Sequence, residues 1–336
     1  MSQLGQSLQT HSAPVLINVR YASNSNQIAG ETGCRLSANR RHFRQTHLLS
    51  ETRLPLEVMV IFATITGELM ADLKASFSGS IPDFYDSCLG PAWFEAFAAD
   101  LAQRLPTKPP GDVLEIACGT GLVSRHLRER LDTSIRLVAT DFSKPMLDYA
   151  RGKIGDRGIE WRVADAMALP YGDGEFGAVV CSFGFMFAPD KRVAFREAYR
   201  VLKDGGILFF NVWDRIEENS HVVIVGQVIE ELFPGDKEMN FGTPYEMHDP
   251  TLLRQLLAEA GFRNVRIETR RIPVDRVSAR TMATGIIRGT PRSLLFEKRG
   301  VSLDDVINKV SAALAKAHGA DPYRGTAQAL VLEAQR

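Results

Sequence analysis

The sequence predicts an α/β fold built on a mostly parallel sheet with helices on both of its faces. The main observation is that short apolar strands alternate with amphipathic helices along the chain, a pattern typical of βαβ units. In addition, a strand runs into a glycine-containing turn and then a helix at residues 113–121. A chain of 336 residues, 45% hydrophobic and 24% charged, is also able to bury a sizeable core.

Local patterns justify each element in chain order. Pro91 suits the first turn of a helix, and the helix has one apolar face formed by Phe94, Phe97, Ala98, Leu101 and Leu105. Seven strands are predicted at 113–117, 135–140, 159–164, 177–182, 207–213, 262–269 and 329–334. Helices are predicted at 122–131, from Ser143, at 190–202 and from Asp249 to Gly261, where Ser143 and Asp249 suit N-caps.

The glycine turn marks a candidate ligand site. Gly119 and Gly121 permit close approach of the backbone, and the helix N-terminus behind them offers N–H groups. Twenty residues after Gly121, Asp141 ends the next strand, where its carboxylate can accept hydrogen bonds from both hydroxyls of a ribose. The spacing therefore predicts an adenosine-containing cofactor, and a tight turn without a ligand is the alternative. A dinucleotide site would carry Gly or Ala where this chain has Ser124, which disfavours an NAD-dependent oxidoreductase.

Composition limits the class of protein. The 40 basic and 40 acidic residues balance, whereas a nucleic-acid binder needs an excess of cations to neutralise phosphates. The four cysteines lie far apart and form neither a metal-binding nor a disulfide pattern, which indicates a reducing, cytoplasmic compartment. No apolar run reaches the roughly 18 residues that a membrane span needs.

Residues 1–69 differ from the rest of the chain. They contain neither Lys nor Asp, and their charge comes from six Arg and four Glu. Their polar composition is typical of a disordered leader. A transit peptide, a regulatory arm and a stretch upstream of a translation start at Met70 all fit, and the abrupt change of composition at a methionine favours the last. One catalytic domain is then expected at 70–336.

Five segments between residues 114 and 206 resemble the class I S-adenosylmethionine-dependent methyltransferases. Within that group they are similar to the ubiquinone/menaquinone-biosynthesis C-methyltransferase family. They are LEIACGTG (114–121), ATDFSKPML (139–147), VADAMALP (163–170), CSFGFMFAPDK (181–191) and AYRVLKDGG (198–206). The resemblance implies a Rossmann-like sheet of seven strands with the last strand antiparallel. It also implies S-adenosyl-L-methionine as cofactor and a small organic acceptor, quinone-like or aromatic.

Carried over by position, the resemblance implies eleven cofactor contacts. Glu115 and Thr120 would hold the methionine moiety and the turn, Asp141 the ribose, and Asp165 the adenine amine. Met146 is equally explained as a core residue of its helix. The full set is Glu115, Ala117, Gly119, Thr120, Gly121, Asp141, Phe142, Met146, Asp165, Ala166 and Ser182.

The chain departs from the family at one point before the fourth strand. The family usually has Phe-Asp there, and this chain has Phe176-Gly177. We expect an altered start of that strand and unimpaired cofactor binding.

Candidate acceptor contacts lie outside the cofactor motifs. Tyr85 belongs to DFYD (83–86), which resembles a segment that covers the cofactor in the family. Phe183, Phe185 and Met186 follow the fourth strand, at the edge where α/β sheets bind ligands, although they would serve equally well as core. Methyl transfer depends mainly on positioning. We assign no metal site and no catalytic base, because His221, His248, Tyr85 and Tyr171 lie in no motif that identifies one.

A helical insertion is predicted at about 273–325, between the last two strands. Within it, Ser302 followed by Asp305 suits a helix start. The insertion is either a lid over the acceptor or a group of helices packed on the sheet. The function predicted is methylation of a small organic acceptor. An NAD-dependent oxidoreductase and a non-catalytic cofactor-binding partner subunit are the alternatives.

Overall fold

One seven-stranded sheet organises the chain in this computed structural model, which describes residues 77–239 and 242–336. The strand order is β3-β2-β1-β4-β5-β7-β6. β7 runs antiparallel to both β5 and β6, and the other pairs are parallel. The strands are β1 Val113–Ile116, β2 Leu137–Asp141, β3 Ile159–Val163, β4 Phe176–Ser182, β5 Leu202–Trp213, β6 Arg263–Val274 and β7 Gly325–Gln335. The predicted fold class is confirmed, and the predictions for residues 1–69 lie outside the described residues.

Helices cover the sheet and begin largely where the sequence predicts. Ser143, Asp249 and Ser302 each accept a hydrogen bond from a backbone N–H of the first helical turn. The helices are α1 Ile81–Phe84, α2 Glu95–Arg104, α3 Leu122–Arg130, α4 Lys144–Ile154, α5 Lys191–Val201, α6 Ser220–Leu232, α7 Pro250–Ala260, α8 Ala279–Arg288, α9 Arg292–Lys298 and α10 Leu303–His318.

The prediction that Pro91 opens a helix is wrong. The helical segment begins at Ile81, and Pro91 lies inside a π-helix, Tyr85–Phe94, that joins α1 to α2. A π-turn is wider than an α-turn and interrupts the regular ladder, so it accommodates a residue that has no N–H to donate. The apolar face itself is largely correct, because its buried members are Phe97, Ala98, Leu101 and Leu105.

The start of β4 is irregular. The ladder between β4 and β5 shifts register between Phe176 and Ala178. Between them, the Gly177 N–H donates to the Asp112 carbonyl at 2.8 Å. A Cβ atom on Gly177 would lie 2.4 Å from the backbone nitrogen of Gly111. The glycine therefore permits direct contact between the start of β4 and the segment before β1.

The chain between β6 and β7 is helical and consists of α8, α9 and α10. α8 packs on the π-helix, and α10 packs on α8 and α6. The contact with the π-helix is close, because a Cβ atom on Gly285 would lie 2.5 Å from the Leu89 side chain. This packing holds the start of α9 beside the carboxyl ends of the parallel strands.

Candidate functional site

A cavity of about 870 Å³ opens at the carboxyl ends of the parallel strands. The strand order reverses between β1 and β4, and ligands of α/β sheets bind at such a point. Ligand pockets have volumes of about 300–1,000 Å³. The cavity lies in the upper part of this range.

The two glycines of the turn after β1 have different surroundings. Gly119 has a φ of +55° and lines the cavity, with open space where a side chain would begin. Gly121 has a φ of +83°, and a Cβ atom there would lie 2.5 Å from Cδ1 of Ile154 in α4. Gly119 is therefore at the ligand side of the turn. Gly121 permits the packing of α3 against α4.

Asp141 connects this turn to the end of β2. Its Oδ2 accepts from the Gly119 N–H at 2.8 Å, and its Oδ1 accepts from the Ser143 N–H at 2.7 Å. Burial raises the pKa of Asp141 to about 6, although the backbone N–H donors lower it. An ionised carboxylate has about four lone-pair positions. The Phe142 N–H is a third donor to this carboxylate, so about one position remains for a hydroxyl donor of a ligand in the cavity.

The turn after β3 closes the same end of the cavity. The Asp165 Oδ1 accepts from the Met167 N–H at 2.8 Å, which orients the carboxylate. Asp165 and Ala166 line the cavity, together with Phe142 and Met146 from the segment after β2. The structure thus brings both predicted adenosine-binding segments to one place.

Three of the predicted cofactor contacts lie behind the cavity wall. Glu115, Thr120 and Gly121 are buried and do not line the cavity. The Ser124 hydroxyl donates to Oε2 of Glu115 at 2.5 Å. Burial raises the pKa of Glu115 to about 8, and the charge of Asp141 adds to this effect. Sequence reasoning used Ser124 only as a departure from a dinucleotide pattern, whereas its hydroxyl links α3 to β1.

The predicted acceptor contacts separate into two groups. Tyr85, Phe183 and Met186 line the cavity, as does the predicted cofactor contact Ser182. Phe185 is 1% exposed and does not line it. Its ring centroid lies 4.7 Å from that of Phe195 and 5.4 Å from that of Phe210, so Phe185 belongs to the core beside β5.

An aromatic wall lines the cavity beside the ends of β4 and β5. It consists of Tyr85, Phe94, Phe183, Trp213 and Tyr245, and neighbouring rings have centroid distances of 4.2–5.8 Å. Trp213 stacks on Phe183 at 4.2 Å. Sequence reasoning missed Phe94, Trp213 and Tyr245 as site residues. The available signal was the position of Trp213 at the end of a predicted strand.

The candidate bases are neutral groups or lie outside the cavity. His221 is 2% exposed and stacks on Trp93 with a centroid distance of 4.5 Å. Burial lowers its pKa to about 3. Burial and two nearby carboxylates raise the pKa of Tyr85 above its usual value. His248 and Tyr171 do not line the cavity.

The helical insertion contributes to the wall of the cavity. Its lining residues are Ile286, Thr290, Pro291, Arg292, Leu294 and Leu295. Within residues 77–239 and 242–336, no group of three His, Cys, Asp or Glu side chains is arranged to hold a metal ion. None of the helices described is long and apolar enough to cross a membrane.

Comparison with known proteins identifies relatives of the part of the chain that contains β1 to β4 and most of β5. Residues 114–210 match a methyltransferase domain family. A demethylmenaquinone methyltransferase of Thermus thermophilus is 36% identical over 183 residues, which is 51% of this chain and 81% of that protein. A ubiquinone/menaquinone biosynthesis C-methyltransferase of Xanthomonas campestris pv. campestris is 32% identical over 51% of this chain and 72% of that protein.

Solved structures with a similar arrangement are more distant in sequence. Phosphoethanolamine N-methyltransferase 2 of Haemonchus contortus, in complex with S-adenosyl-L-methionine, is 16% identical. The similarity covers 76% of this chain and 60% of that one, with a TM-score of 0.46.

Proposed function

The chain belongs to the class I S-adenosylmethionine-dependent methyltransferases, and from this membership we propose that it methylates a small quinone-like or other aromatic ring. S-adenosylmethionine is its cofactor. One observation carries the proposal for the acceptor. A single cavity joins the carboxylates after β2 and β3 to an aromatic wall.

The residues at the carboxylate end fit an adenosine-containing cofactor. Asp141 has an acceptor position left for a ribose hydroxyl, and Gly119 leaves space beside it. Asp165 and Ala166 would receive the adenine edge, with Phe142 and Met146 packed beside the ring. When bound, S-adenosylmethionine supplies a methyl group on a positively charged sulfur.

The cavity between the two ends is suited to positioning. The Ser182 hydroxyl donates to Oδ1 of Asn211 at 3.1 Å, which holds the carboxyl end of β4 against β5. Phe183 and Trp213 offer flat apolar surfaces on which an acceptor ring would stack. Correct orientation of two bound reactants can supply much of the rate enhancement. The demethylmenaquinone methyltransferase relatives are named for quinone-type acceptors, which supports a ring in this position.

The insertion would serve as the cover of the acceptor. Six of its residues between Ile286 and Leu295 line the cavity. A cover there would exclude water from the acceptor. The other arrangement, helices packed on the sheet alone, would not provide a wall of the cavity.

Calorimetry and methyl transfer test the function together. We expect S-adenosylmethionine and S-adenosylhomocysteine to bind and NAD not to bind. We also expect label from methyl-labelled S-adenosylmethionine to appear in reduced naphthoquinones or benzoquinones. Binding of NAD alone would support the oxidoreductase alternative. Cofactor binding without transfer to any ring acceptor would favour the partner-subunit alternative.

A variant of the aromatic wall separates acceptor binding from cofactor binding. Trp213→Leu removes the ring that stacks on Phe183 and keeps an apolar side chain. We expect a lower kcat/KM for the acceptor and an S-adenosylhomocysteine affinity within about 2-fold of the wild type, since Trp213 ends β5, which is three strands from β2 and its last residue Asp141 in the sheet order. An equal loss of cofactor affinity would contradict the division of the cavity into two ends.

A further inference from the structure

One wall of the cavity is a helical segment that precedes β1. This π-helix segment, residues 77–94, contains α1 and the π-helix. Its cavity-lining side chains are Phe77, Tyr85, Leu89, Trp93 and Phe94. Tyr85, Leu89 and Trp93 recur every fourth residue and therefore share one face of the segment. Because the segment is not a strand of the sheet, contacts with other elements must hold this face against the cavity.

A buried carboxylate next to Tyr85 joins the segment to α4. The Asp86 side chain is 8% exposed, and its Oδ2 accepts from the Tyr149 hydroxyl at 3.2 Å. The same oxygen forms an ion pair with the Lys153 ammonium group. Burial and the charge of Asp86 raise the pKa of Tyr149 to about 12, so this phenol remains a donor at neutral pH. Both partners of Asp86 belong to α4.

The ion pair with Lys153 matters because Asp86 is buried. A buried carboxylate is costly unless a cation and hydrogen-bond donors accompany it. Oδ1 of Asp86 is buried and has no hydrogen-bond partner among the described residues, so only the contacts of Oδ2 offset the cost of burial. Removal of Lys153 would leave the carboxylate with one neutral donor. Movement of the segment that brings Asp86 into water would then become favourable.

The same helix, α4, borders the cofactor end of the cavity. Its N-cap Ser143 follows Asp141 by two residues and lines the cavity. The Ser143 hydroxyl donates to the Phe77 carbonyl at 3.3 Å, so hydrogen bonds connect the π-helix segment to both ends of α4. Burial and the charge of Asp141 raise the pKa of Tyr85, which is consistent with a position of Tyr85 near the carboxylate assigned to the ribose.

We propose that the ion pair between Asp86 and Lys153 positions the π-helix segment over the cofactor. Neither side chain lines the cavity, so both act through Tyr85 as positioning residues. Without the ion pair, a smaller fraction of the protein has the segment against the cavity, and the measured cofactor affinity falls with that fraction. This inference goes beyond the proposed methylation of a ring, because it concerns the cofactor end and needs no acceptor.

Calorimetric titration of the full chain with S-adenosylhomocysteine tests the inference. Lys153→Met removes the cation from a 44% exposed position and keeps a long side chain. Loss of a hydrogen bond to a charged group corresponds to about 10-fold in an equilibrium constant. Since water replaces part of the interaction, we expect at least about 5-fold weaker binding. Asp86→Asn should have a similar effect, the double variant should bind no more weakly than either single variant, and Lys153→Arg should stay within about 2-fold of the wild type.

A second ion pair on the same helix provides a matched control. Lys144 pairs with Asp148, and both side chains are exposed. Lys144→Met removes the same charge from α4 and leaves the ion pair of Asp86 intact, so it should bind S-adenosylhomocysteine as the wild type does. Hydrogen exchange of residues 81–94 is a readout that a contact for stability alone would not change. S-adenosylhomocysteine should slow this exchange in the wild type and in Lys144→Met, and less so in Lys153→Met.

Three results would overturn the inference. Lys153→Met could bind S-adenosylhomocysteine as tightly as the wild type, which would make the ion pair a contact for stability alone. The losses in Asp86→Asn and Lys153→Met could add in the double variant, or Lys144→Met could lose as much affinity as Lys153→Met. If Asp86→Asn does not fold, Lys153→Met at its exposed position decides together with Lys144→Met. Methyl transfer is not measured here, so failure of the proposed acceptor would leave this test unaffected.

Discussion

Replacing Asp141 with alanine removes the carboxylate that connects the glycine turn to the cavity. Three of its roughly four lone-pair positions accept from backbone N–H groups, those of Gly119 at 2.8 Å, Ser143 at 2.7 Å and Phe142, which leaves about one for a ribose hydroxyl. A hydrogen bond to a charged group contributes about 1.5–3 kcal/mol. Water can enter the space left by the carboxylate and recover part of this. We therefore expect cofactor binding to weaken by about 1–3 kcal/mol, or roughly 5- to 150-fold.

Calorimetric titration with S-adenosylhomocysteine at pH 7.5 measures this loss, because the carboxyl group with its pKa of about 6 is then ionised. The wild-type affinity should decrease as the pH falls through 6, whereas the affinity of Asp141→Ala should not. Asp148→Ala, at an exposed position of α4, is the matched control. Urea unfolding checks that the variant is folded, since three backbone N–H groups lose their acceptor. Unchanged affinity in a folded Asp141→Ala protein would refute the assignment of the ribose to this carboxylate.

Further predictions concern the supports of the site. Burial raises the pKa of Glu115 from its ordinary value of 4.5 to about 8 in the folded protein, so the folded state binds the extra proton and stability falls as pH rises between these values. Glu115→Gln should reduce the dependence of the unfolding free energy on pH by up to about 1.4 kcal/mol per pH unit. Urea unfolding at pH 5.5, 6.5 and 7.5 measures this dependence, and the same slope in the wild type and the variant would contradict the prediction. Gly177→Ala should lower the free energy of unfolding by about 1–3 kcal/mol, because its Cβ would lie 2.4 Å from a backbone nitrogen. Gly152→Ala, at an exposed helix position where a Cβ atom would have nothing within 4 Å, should instead raise the free energy of unfolding by about 0.5–1 kcal/mol. A lower free energy of unfolding in both variants would mean that the close contact at Gly177 is not the cause.

Helix starts and strands were predictable where the signal is local. Ser143, Asp249 and Ser302 cap helices as their spacing indicates, because an N-cap depends on only three or four neighbouring residues. Pro91 misled the prediction for the same reason. Proline is common near the start of an α-helix, and nothing in the local sequence pattern indicates a π-helix.

Side-chain direction was not predictable after β4. Phe183 and Phe185 are two residues apart in one aromatic segment, but only Phe183 lines the cavity. Phe183 has a φ of +54°, which turns the chain sharply after the strand. Phe185 then packs into the core on Phe195 and Phe210. An apolar residue type is found both in cavity walls and in the core. The surrounding elements therefore determine which of the two places the side chain occupies.

The amino-acid sequence by itself determined the α/β class, the turn after β1 and the acidic residue after β2. These features depend on spacings of a few to about twenty residues, and together with the motifs they suffice to predict the cofactor end and to indicate the methyltransferase family. The acceptor end depended on the tertiary structure. Phe94, Trp213, Tyr245 and Arg292 come from a helix, a strand, a short turn and the insertion. They meet only because the strand order and the packing of α8 on the π-helix bring distant segments to one edge of the sheet, and no local periodicity encodes that arrangement.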